Sequence, residues 1–447
     1  MSDVGAKAPS TDGQDVGERA GQGRPLAQIL LGIVAAALAV RLVIFALSVG
    51  TSTGLSIPNA ENWQDFSLAY VPAVNALMSG FMPYRDFFYP YPPLFLYALT
   101  AFSYLPLPSW SSAIPLVGAD ALTVIPLYLI ARELVGERAS LMVSLLFVFS
   151  PTNLYYVDYL WLNPSLTTLF LLTSVYLLIK GRYGWSALTL ALAIGFKQTA
   201  LFALPVVLFL LWRKAGRRAE PLRYLLVVSV ACLAISLPYI ELNPSLYLDS
   251  MFRLPFGFLG AQVPGNYYQI AVGNGTQVTF NTADWLTSKW QLLAAGVYSP
   301  ATLALPFFLF LVPSAYSWAY STSSALSIVD FLIIVAGVAL ILRGIWKRKS
   351  FDQQELLSYI LFAMLLIFTF YPLYKYYVVG IVPFLVLLVR SKRDAVGFVV
   401  FSFALMLVPR YFASWALLVT LVWLLRRNAK PRSPVTSASP CLQAGET

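Results

Sequence analysis

The chain has 447 residues, of which 59% are apolar and only 11% are charged, and its mean hydropathy is +0.72. Because about a quarter of the residues of a soluble globular protein are charged, this composition excludes that class. The net charge of +10 does not indicate nucleic-acid binding, since the basic residues form short clusters between apolar runs. Histidine is absent, which excludes the commonest general base and metal ligand.

The apolar residues form runs that predict transmembrane helices. A helix needs about 20 residues to cross about 30 Å of hydrocarbon, and the runs lack the alternation of β-barrel strands. We therefore predict an all-α polytopic fold with twelve spans in a multi-span domain over 27–425. The predicted spans are 27–49, 113–131, 140–157, 164–180, 185–197, 199–212, 222–240, 325–343, 355–372, 376–390, 395–409 and 411–425.

The segments at the two ends of the chain are polar. We predict a disordered cytoplasmic arm over 1–26 and a cytoplasmic tail over 426–447. The apolar run 301–316 is predicted as a re-entrant or interfacial helix. The two longest outer loops are a first loop over 50–112 and a central loop over 241–324.

Basic residues fix the predicted orientation in the membrane. Seven segments between or beyond the spans hold 23 of the 30 Lys and Arg residues, and all seven fall on one side. The positive-inside rule makes that side the cytoplasm, so both termini are expected there. We expect a multi-pass protein of a prokaryotic plasma membrane.

The remaining charges are candidates for function, because a charge at membrane depth is costly. For those inside spans, an internal ion pair or snorkelling is the competing interpretation. The basic residues of this set are Arg41, Arg85, Lys197, Arg253, Lys289, Lys375 and Arg410. The acidic residues are Glu61, Asp65, Asp86, Asp120, Asp158, Glu241, Asp249, Asp284 and Asp330.

The first outer loop carries the most informative pattern. Residues 66–79 have amphipathic spacing, and the run 94–105 is apolar but too short to span. Both are predicted as interfacial helices that carry charges between membrane and water. The Pro-rich stretch 83–93 stiffens the turn between them, since each proline fixes φ near −65°.

This pattern resembles the GT-C glycosyltransferase superfamily. Within it, the chain is similar to the GPI mannosyltransferase I family and to polyprenyl-phosphate-mannose α-mannosyltransferases. Two further stretches support the likeness: Gly195-Phe-Lys-Gln-Thr with Pro205, and Tyr374-Lys-Tyr-Tyr followed by Pro383. In the first loop the matching residues are Asp65, Gly80, Pro83, Tyr84, Arg85, Tyr89, Pro90, Tyr91, Pro93 and Leu94.

The resemblance implies a hexosyltransferase that takes a sugar, mannose in these families, from a polyprenyl phosphate in the outer leaflet and inverts its anomeric centre. Such a reaction needs a carboxylate that deprotonates the acceptor hydroxyl, and Asp65 is the candidate. The expected partners are the lipid donor, a lipid-linked or glycan acceptor and membrane lipid, with no nucleic acid. The leaving phosphate needs cations, for which the candidates are Arg85, Lys197, Lys375 and Arg410. Sugar and acceptor binding is assigned to Trp63, Tyr84, Asp86, Tyr89 and Asp158.

Other interpretations stay open for some of these residues. Asp65 can serve as a helix N-cap, and Arg85 and Asp86 can pair with each other at the surface. Family members carry an Asp-x-Asp pair here, whereas Trp63 stands two residues before Asp65. A metal bridged by two carboxylates at that spacing is therefore not predicted, and any cofactor ion would be an oxygen-bound Mg²⁺ or Mn²⁺.

Three competing functions remain from the sequence. The first is a transporter or lipid flippase, with a common span count but no repeated half. The second is a polymerase or ligase of lipid-linked glycans, and the third is a non-catalytic member of the same superfamily. The acceptor, the linkage and the oligomeric state are not encoded in any motif.

Overall fold

The computed structural model confirms the all-α fold. Nearly all of the described chain is helical, apart from one two-stranded hairpin. The structure describes residues 25–50, 65–87, 89–215, 219–248, 250–251, 268–272, 276–280, 323–347, 353–370, 375–407 and 413–429.

The first part of the bundle contains the two predicted loop helices. A π-helical turn over Phe66–Tyr70 leads directly into the second helix, and a short 3-10 turn over Ser109–Ala113 leads into the fourth. The helices are α1 (Leu26–Gly50), α2 (Val71–Met78), α3 (Pro93–Ser103), α4 (Ile114–Leu122), α5 (Val124–Val135) and α6 (Glu137–Val148).

The middle part continues with helices broken at polar positions. A π-helical turn over Leu154–Tyr159 follows the seventh helix, and a 3-10 turn over Gln198–Ala203 precedes the tenth. The helices are α7 (Pro151–Asn153), α8 (Ser165–Ile179), α9 (Tyr183–Phe196), α10 (Leu204–Ala215), α11 (Ala219–Leu242) and α12 (Pro244–Leu248).

The last part begins in the central outer loop. Strands β1 (Tyr268–Val272) and β2 (Thr276–Phe280) pair antiparallel, with Tyr268 opposite Phe280. A 3-10 turn over Lys375–Gly380 precedes the fifteenth helix. The helices are α13 (Ser323–Lys347), α14 (Gln353–Phe370), α15 (Val382–Val386), α16 (Lys392–Leu407) and α17 (Ala413–Ala429).

Each of the twelve predicted spans overlaps a described helical segment. Four of these segments are long and apolar enough to cross a membrane by themselves: Leu26–Gly50, Ser109–Val135, Glu137–Tyr159 and Ala219–Leu242. At 1.5 Å per residue, a helix of 25 residues such as α1 is about 37 Å long. The chain is therefore an integral membrane protein. The predicted helix 301–316 lies outside the described residues.

Contacts bring five of the predicted cytoplasmic loops to one end of the bundle. Lys180 pairs with Glu133 at 2.6 Å, and Arg390 donates a hydrogen bond to the Leu134 carbonyl at 3.5 Å. These contacts join the loops around 131–139, 180–184 and 390–393.

Two more contacts connect the remaining basic loops to this group. The hydroxyl groups of Ser186 and Tyr224 lie 3.1 Å apart, which places the start of α9 beside the start of α11. The guanidinium of Arg213 lies 5.5 Å from the Trp346 ring centre, which adds the end of α13. The opposite ends of α8 and α9 therefore lie away from the basic face, together with the first outer loop.

Two apolar clusters dominate the packing. The larger one lies among the long helices and includes Leu127, Phe147 and Leu361. The smaller one lies beneath the first outer loop and is rich in aromatic rings, among them Tyr70 and Phe95, 5.0 Å apart. This second cluster holds α2 and α3 against the bundle, because aromatic pairs add specific edge-to-face contacts to their buried area.

Candidate functional site

Asp65 stands at the start of the first loop helix without capping it. Its backbone is helical (φ −54°, ψ −33°), and its side chain makes no capping hydrogen bond. Instead, the Tyr376 hydroxyl donates a hydrogen bond to Oδ2 of Asp65 at 3.0 Å. The N-cap interpretation is therefore wrong, and a contact across 311 residues fixes the carboxylate.

Lys197 lies in the break between α9 and the following 3-10 turn. Its backbone is extended (φ −158°, ψ 126°), which ends the helix and turns the chain. The side chain is only 3% exposed, and Nζ donates a hydrogen bond to the Asn163 carbonyl at 2.8 Å. A buried ammonium is stable only with such compensation, so Lys197 is held by specific partners.

Three tyrosine rings surround this ammonium group. Nζ of Lys197 lies 3.5 Å from the centre of the Tyr377 ring, 5.2 Å from that of Tyr376 and 5.9 Å from that of Tyr91. The ring faces attract the cation through their quadrupoles. Tyr376 therefore contacts both Asp65 and Lys197, and it connects the two candidates that the sequence placed in different roles.

The first loop reaches this site through a close helix contact. A Cβ at Gly195 would lie 2.7 Å from Cδ1 of Leu94, so a larger residue there would have to displace the leucine side chain that α3 places against α9. Nε2 of Gln198 donates a hydrogen bond to the Pro90 carbonyl at 3.3 Å. These contacts position the Pro-rich stretch beside Lys197.

Arg85 and Asp86 pair with each other at the surface. The distance between Nη2 and Oδ2 is 2.6 Å, with the side chains 47% and 26% exposed. Oδ2 of Asp86 also accepts the Met82 N–H at 2.7 Å, which closes the turn. The hydrogen bond from Arg85 is the main cause that lowers the pKa of the Asp86 carboxyl. Among the described residues, this pair is a turn-stabilising contact rather than part of the Asp65 and Lys197 group.

Tyr84 and Tyr89, expected to bind sugar, lie inside the aromatic cluster. They are 0% and 1% exposed, and burial raises the pKa of both phenols. Tyr84 adopts φ 62°, a left-handed conformation that is unusual for a residue with a side chain. Its hydroxyl donates to the Tyr91 carbonyl, which fixes the turn from within. These rings support the loop, because their faces pack on other side chains.

Asp158, also assigned to the acceptor, is buried in an ionic cluster. Arg41 pairs with Asp120 at 2.6 Å and lies 3.7 Å from Asp158. Nδ2 of Asn153 donates to Oδ1 of Asp120 at 2.8 Å. All three charged side chains are at most 1% exposed. Asp158 is therefore paired inside the bundle, whereas the sequence analysis expected it to contact the acceptor. The internal ion pair considered for Arg41 and Asp120 is confirmed.

The other predicted site residues are only partly covered. Trp63 and Arg410 lie outside the described residues, and for Lys375 the structure gives the backbone alone. Within the described ranges no group of three or more Cys, Asp or Glu side chains comes together as a metal site.

One family model matches part of the chain. Residues 124–260 match the family model described as ALG3 protein. This segment is less than half of the chain, and it carries Asn163 and Lys197. No curated protein matches the chain.

Two solved structures are similar at low identity. The apo form of the Archaeoglobus fulgidus oligosaccharyltransferase has 14% identity and a TM-score of 0.43, with coverage of 87% of this chain and 56% of that one. ArnT from Cupriavidus metallidurans, bound to undecaprenyl phosphate, has 12% identity and a TM-score of 0.42, with coverage of 90% and 77%. The chain thus spans little more than half the length of the oligosaccharyltransferase.

Asp65 and Lys197 are candidates from the sequence, whereas the tyrosines and the asparagine that contact them are not. Tyr376 and Tyr377 belong to the Tyr374-Lys-Tyr-Tyr stretch, in which only the charged Lys375 is a predicted site residue. Asn163 gave no signal, because an asparagine before proline is also an ordinary loop residue. The tyrosines could have been predicted from their position in the same Tyr374-Lys-Tyr-Tyr stretch as Lys375.

Proposed function

We propose that this chain is an integral-membrane glycosyltransferase that transfers a sugar from a polyprenyl-phosphate donor to a lipid-linked or glycan acceptor, with inversion. The observation that carries the proposal is the position of Tyr376, which donates to Asp65 at 3.0 Å and lies 5.2 Å from Nζ of Lys197. A carboxylate and a buried cation beside one another supply the two charges that this reaction needs. Mannose as the sugar rests on the family resemblance.

Lys197 is the proposed binding group for the donor phosphate. In the reaction the bond between the anomeric carbon and the phosphate oxygen breaks, and its electron pair stays on the phosphate. The ammonium group stabilises this developing charge, and it does so strongly because it is only 3% exposed and poorly screened by water.

Asp65 is the proposed general base. The acceptor hydroxyl attacks the anomeric carbon from the face opposite the phosphate, a new carbon–oxygen bond forms, and the proton passes to the carboxylate. The Tyr376 hydroxyl donates to one carboxylate oxygen, Oδ2, and so fixes the orientation of the group. Tyr376 is thus a positioning residue, because its hydroxyl orients the base.

The proposed reaction takes place at the outer face of the membrane. The basic loops meet at one end of the bundle, and Lys197 and Asn163 lie at the opposite ends of the helices that start or end there. With the positive-inside rule, both termini are cytoplasmic and the site faces the other compartment. A prokaryotic plasma membrane is the proposed location.

The test is sugar transfer by the purified full-length protein in lipid. Radiolabelled polyprenyl-phosphate mannose is supplied with a membrane extract, and the wild type is compared with Asp65→Asn. Asparagine keeps an oxygen for Tyr376 but takes no proton, so transfer should fall by about 10²–10⁴-fold. Asp394→Asn, at the exposed start of α16, is the matched control and should transfer normally.

Other outcomes decide against parts of the proposal. Equal transfer by wild type and Asp65→Asn would remove Asp65 as the base. An absence of transfer by both proteins, with several polyprenyl-phosphate sugars, would favour the transporter or non-catalytic functions. A parallel assay with EDTA tests the expectation of Mg²⁺ or Mn²⁺, because loss of transfer on chelation would show that an ion takes part.

A further inference from the structure

Four buried polar atoms, on the residue next to Lys197 and on the segment whose carbonyl Lys197 contacts, lack a hydrogen-bond partner among the described residues. They are Nδ2 and Oδ1 of Asn163, Oγ of Ser165 and Oε1 of Gln198. Asn163 and Ser165 are fully buried, and Gln198 is 9% exposed. Native structures rarely leave buried polar groups unpaired, since each one loses its hydrogen bonds to water. Several such groups around one buried lysine indicate that a polar ligand completes them.

Asn163, Ser165 and Gln198 come from two segments of the chain, and a hydrogen bond from Lys197 connects these segments. Its Nζ donates to the carbonyl of Asn163 at 2.8 Å, and Ser165 follows at the first position of α8. Gln198 is the next residue after Lys197, in the turn that leads to α10. The unpaired atoms therefore lie where the donor phosphate is proposed to bind.

The hydrogen-bonding types of these atoms identify the chemistry of the ligand. Nε2 of Gln198 donates to the Pro90 carbonyl at 3.3 Å, so the unpaired atom is the amide oxygen, which only accepts. Asn163 has both ends of its amide unpaired, so it presents an acceptor and a donor in either orientation. Phosphate oxygens accept and cannot satisfy an amide oxygen, whereas a hydroxyl group both donates and accepts.

We infer that Asn163, Ser165 and Gln198 form a subsite for hydroxyl groups of the donor sugar, directly beside the phosphate that Lys197 binds. The inference rests on the proposed function and adds the residues that recognise the sugar. The amide of Asn163 spans two neighbouring hydroxyl groups, and Gln198 accepts from a third. A site built this way discriminates strongly against ligands without those hydroxyls, because its buried groups then stay unpaired.

The test measures binding of two lipids to the purified full-length chain in nanodiscs. The probes are decaprenyl phosphate and decaprenyl-phosphate mannose, which differ only in the sugar. Asn163→Leu should weaken binding of the mannosyl lipid about tenfold and leave binding of bare decaprenyl phosphate unchanged. Lys197→Gln should weaken binding of both lipids.

Matched variants control for folding. Ser165→Ala removes one unpaired hydroxyl, and Ser144→Ala removes a buried hydroxyl that donates within its own helix, to the Ser140 carbonyl at 2.9 Å. Ser165→Ala should lose affinity for the mannosyl lipid alone, and Ser144→Ala should bind both lipids as the wild type does. If Asn163→Leu does not fold, Gln198→Leu and Ser165→Ala provide the same comparison.

Two results would overturn the inference. The first is an equal effect of the Asn163, Ser165 and Gln198 variants on both lipids; the second is a wild type that binds both lipids with the same affinity. Either result leaves the proposed function standing, since both lipids still bind and sugar transfer is tested by a separate assay. A wild type that binds neither lipid would instead reject the proposed function, and the subsite with it.

Discussion

The ammonium nitrogen of Lys197 lies 3.5 Å from the centre of the Tyr377 ring. The neighbouring residue, Tyr376, donates its hydroxyl hydrogen to Asp65. Two adjacent tyrosines thus contact the two charged residues of the candidate site, and substitution of each tyrosine tests one of the two contacts.

Replacing Tyr377 tests the contact between its ring and the ammonium group. Tyr377→Phe keeps the ring and should use the donor nearly as well as the wild type. Tyr377→Leu removes a cation–π contact of about 1–2 kcal/mol at a buried site, so use of the donor should weaken roughly 5- to 30-fold. Transfer rates over a range of donor concentrations measure this difference. Tyr176→Leu is the matched control, since Tyr176 faces Lys180 on the basic side. Similar kinetics for the Phe and Leu variants would mean that the ring does not hold Lys197.

Breaking the buried ionic cluster should destabilise the bundle. Asp120→Ala leaves Arg41 at 0% exposure without its nearest carboxylate, a change that costs about 3–5 kcal/mol in comparable buried pairs. Arg41→Met combined with Asp120→Leu and Asp158→Leu removes all three charges of the cluster, and it should recover most of that loss. Thermal unfolding in one detergent, followed by fluorescence-detected size exclusion, compares the variants. A triple variant that is as unstable as Asp120→Ala would contradict this account.

The close contact at Gly195 should be sensitive to any added side chain. Gly195→Val should displace the Leu94 side chain, because a Cβ added at position 195 would lie 2.7 Å from Cδ1 of that leucine. Since α3 leads back to the Pro-rich stretch beside Lys197, we expect both stability and transfer to fall. Overpacking typically costs about 1–3 kcal/mol. Gly184→Ala on the same helix meets nothing within 4 Å and should behave as the wild type in both assays.

Cysteine labelling tests the orientation of the bundle. In a chain with Cys232→Ser and Cys441→Ser, Asn75→Cys should react with a membrane-impermeant reagent added outside intact cells. Arg182→Cys should react only after the membrane is opened, because the basic loops are predicted to be cytoplasmic. Both positions are exposed, so accessibility within the protein does not explain a difference. The reverse labelling pattern would invert the topology and move the site to the cytoplasmic side.

Much of the fold could be predicted because the membrane imposes simple rules on the sequence. Hydrophobic length located the helices that became α1 and α11, and clusters such as Arg213 with Arg223 predicted which loops share a side. The break at Lys197 could also be expected, since a charged residue between two short apolar runs favours a bend. These features depend on local composition, which a single sequence displays.

The partners of the site residues could not be predicted in the same way. The bond between Tyr376 and Asp65 joins positions 311 residues apart, and no local pattern encodes it. Asp158 is an acceptor candidate in the sequence, yet it lies in the π-helical turn over Leu154–Tyr159, 3.7 Å from Arg41. Buried pairing of this kind depends on how helices rotate about their axes, which hydrophobic length does not determine.

The turn over Lys375–Gly380 carries Tyr376 and Tyr377 side by side. A displacement of this one turn would shift the support of the carboxylate and of the ammonium together, although these two groups belong to distant elements. One short turn therefore contacts both opposite charges, although the loop that holds Asp65 and the helix break that holds Lys197 are far apart in the sequence.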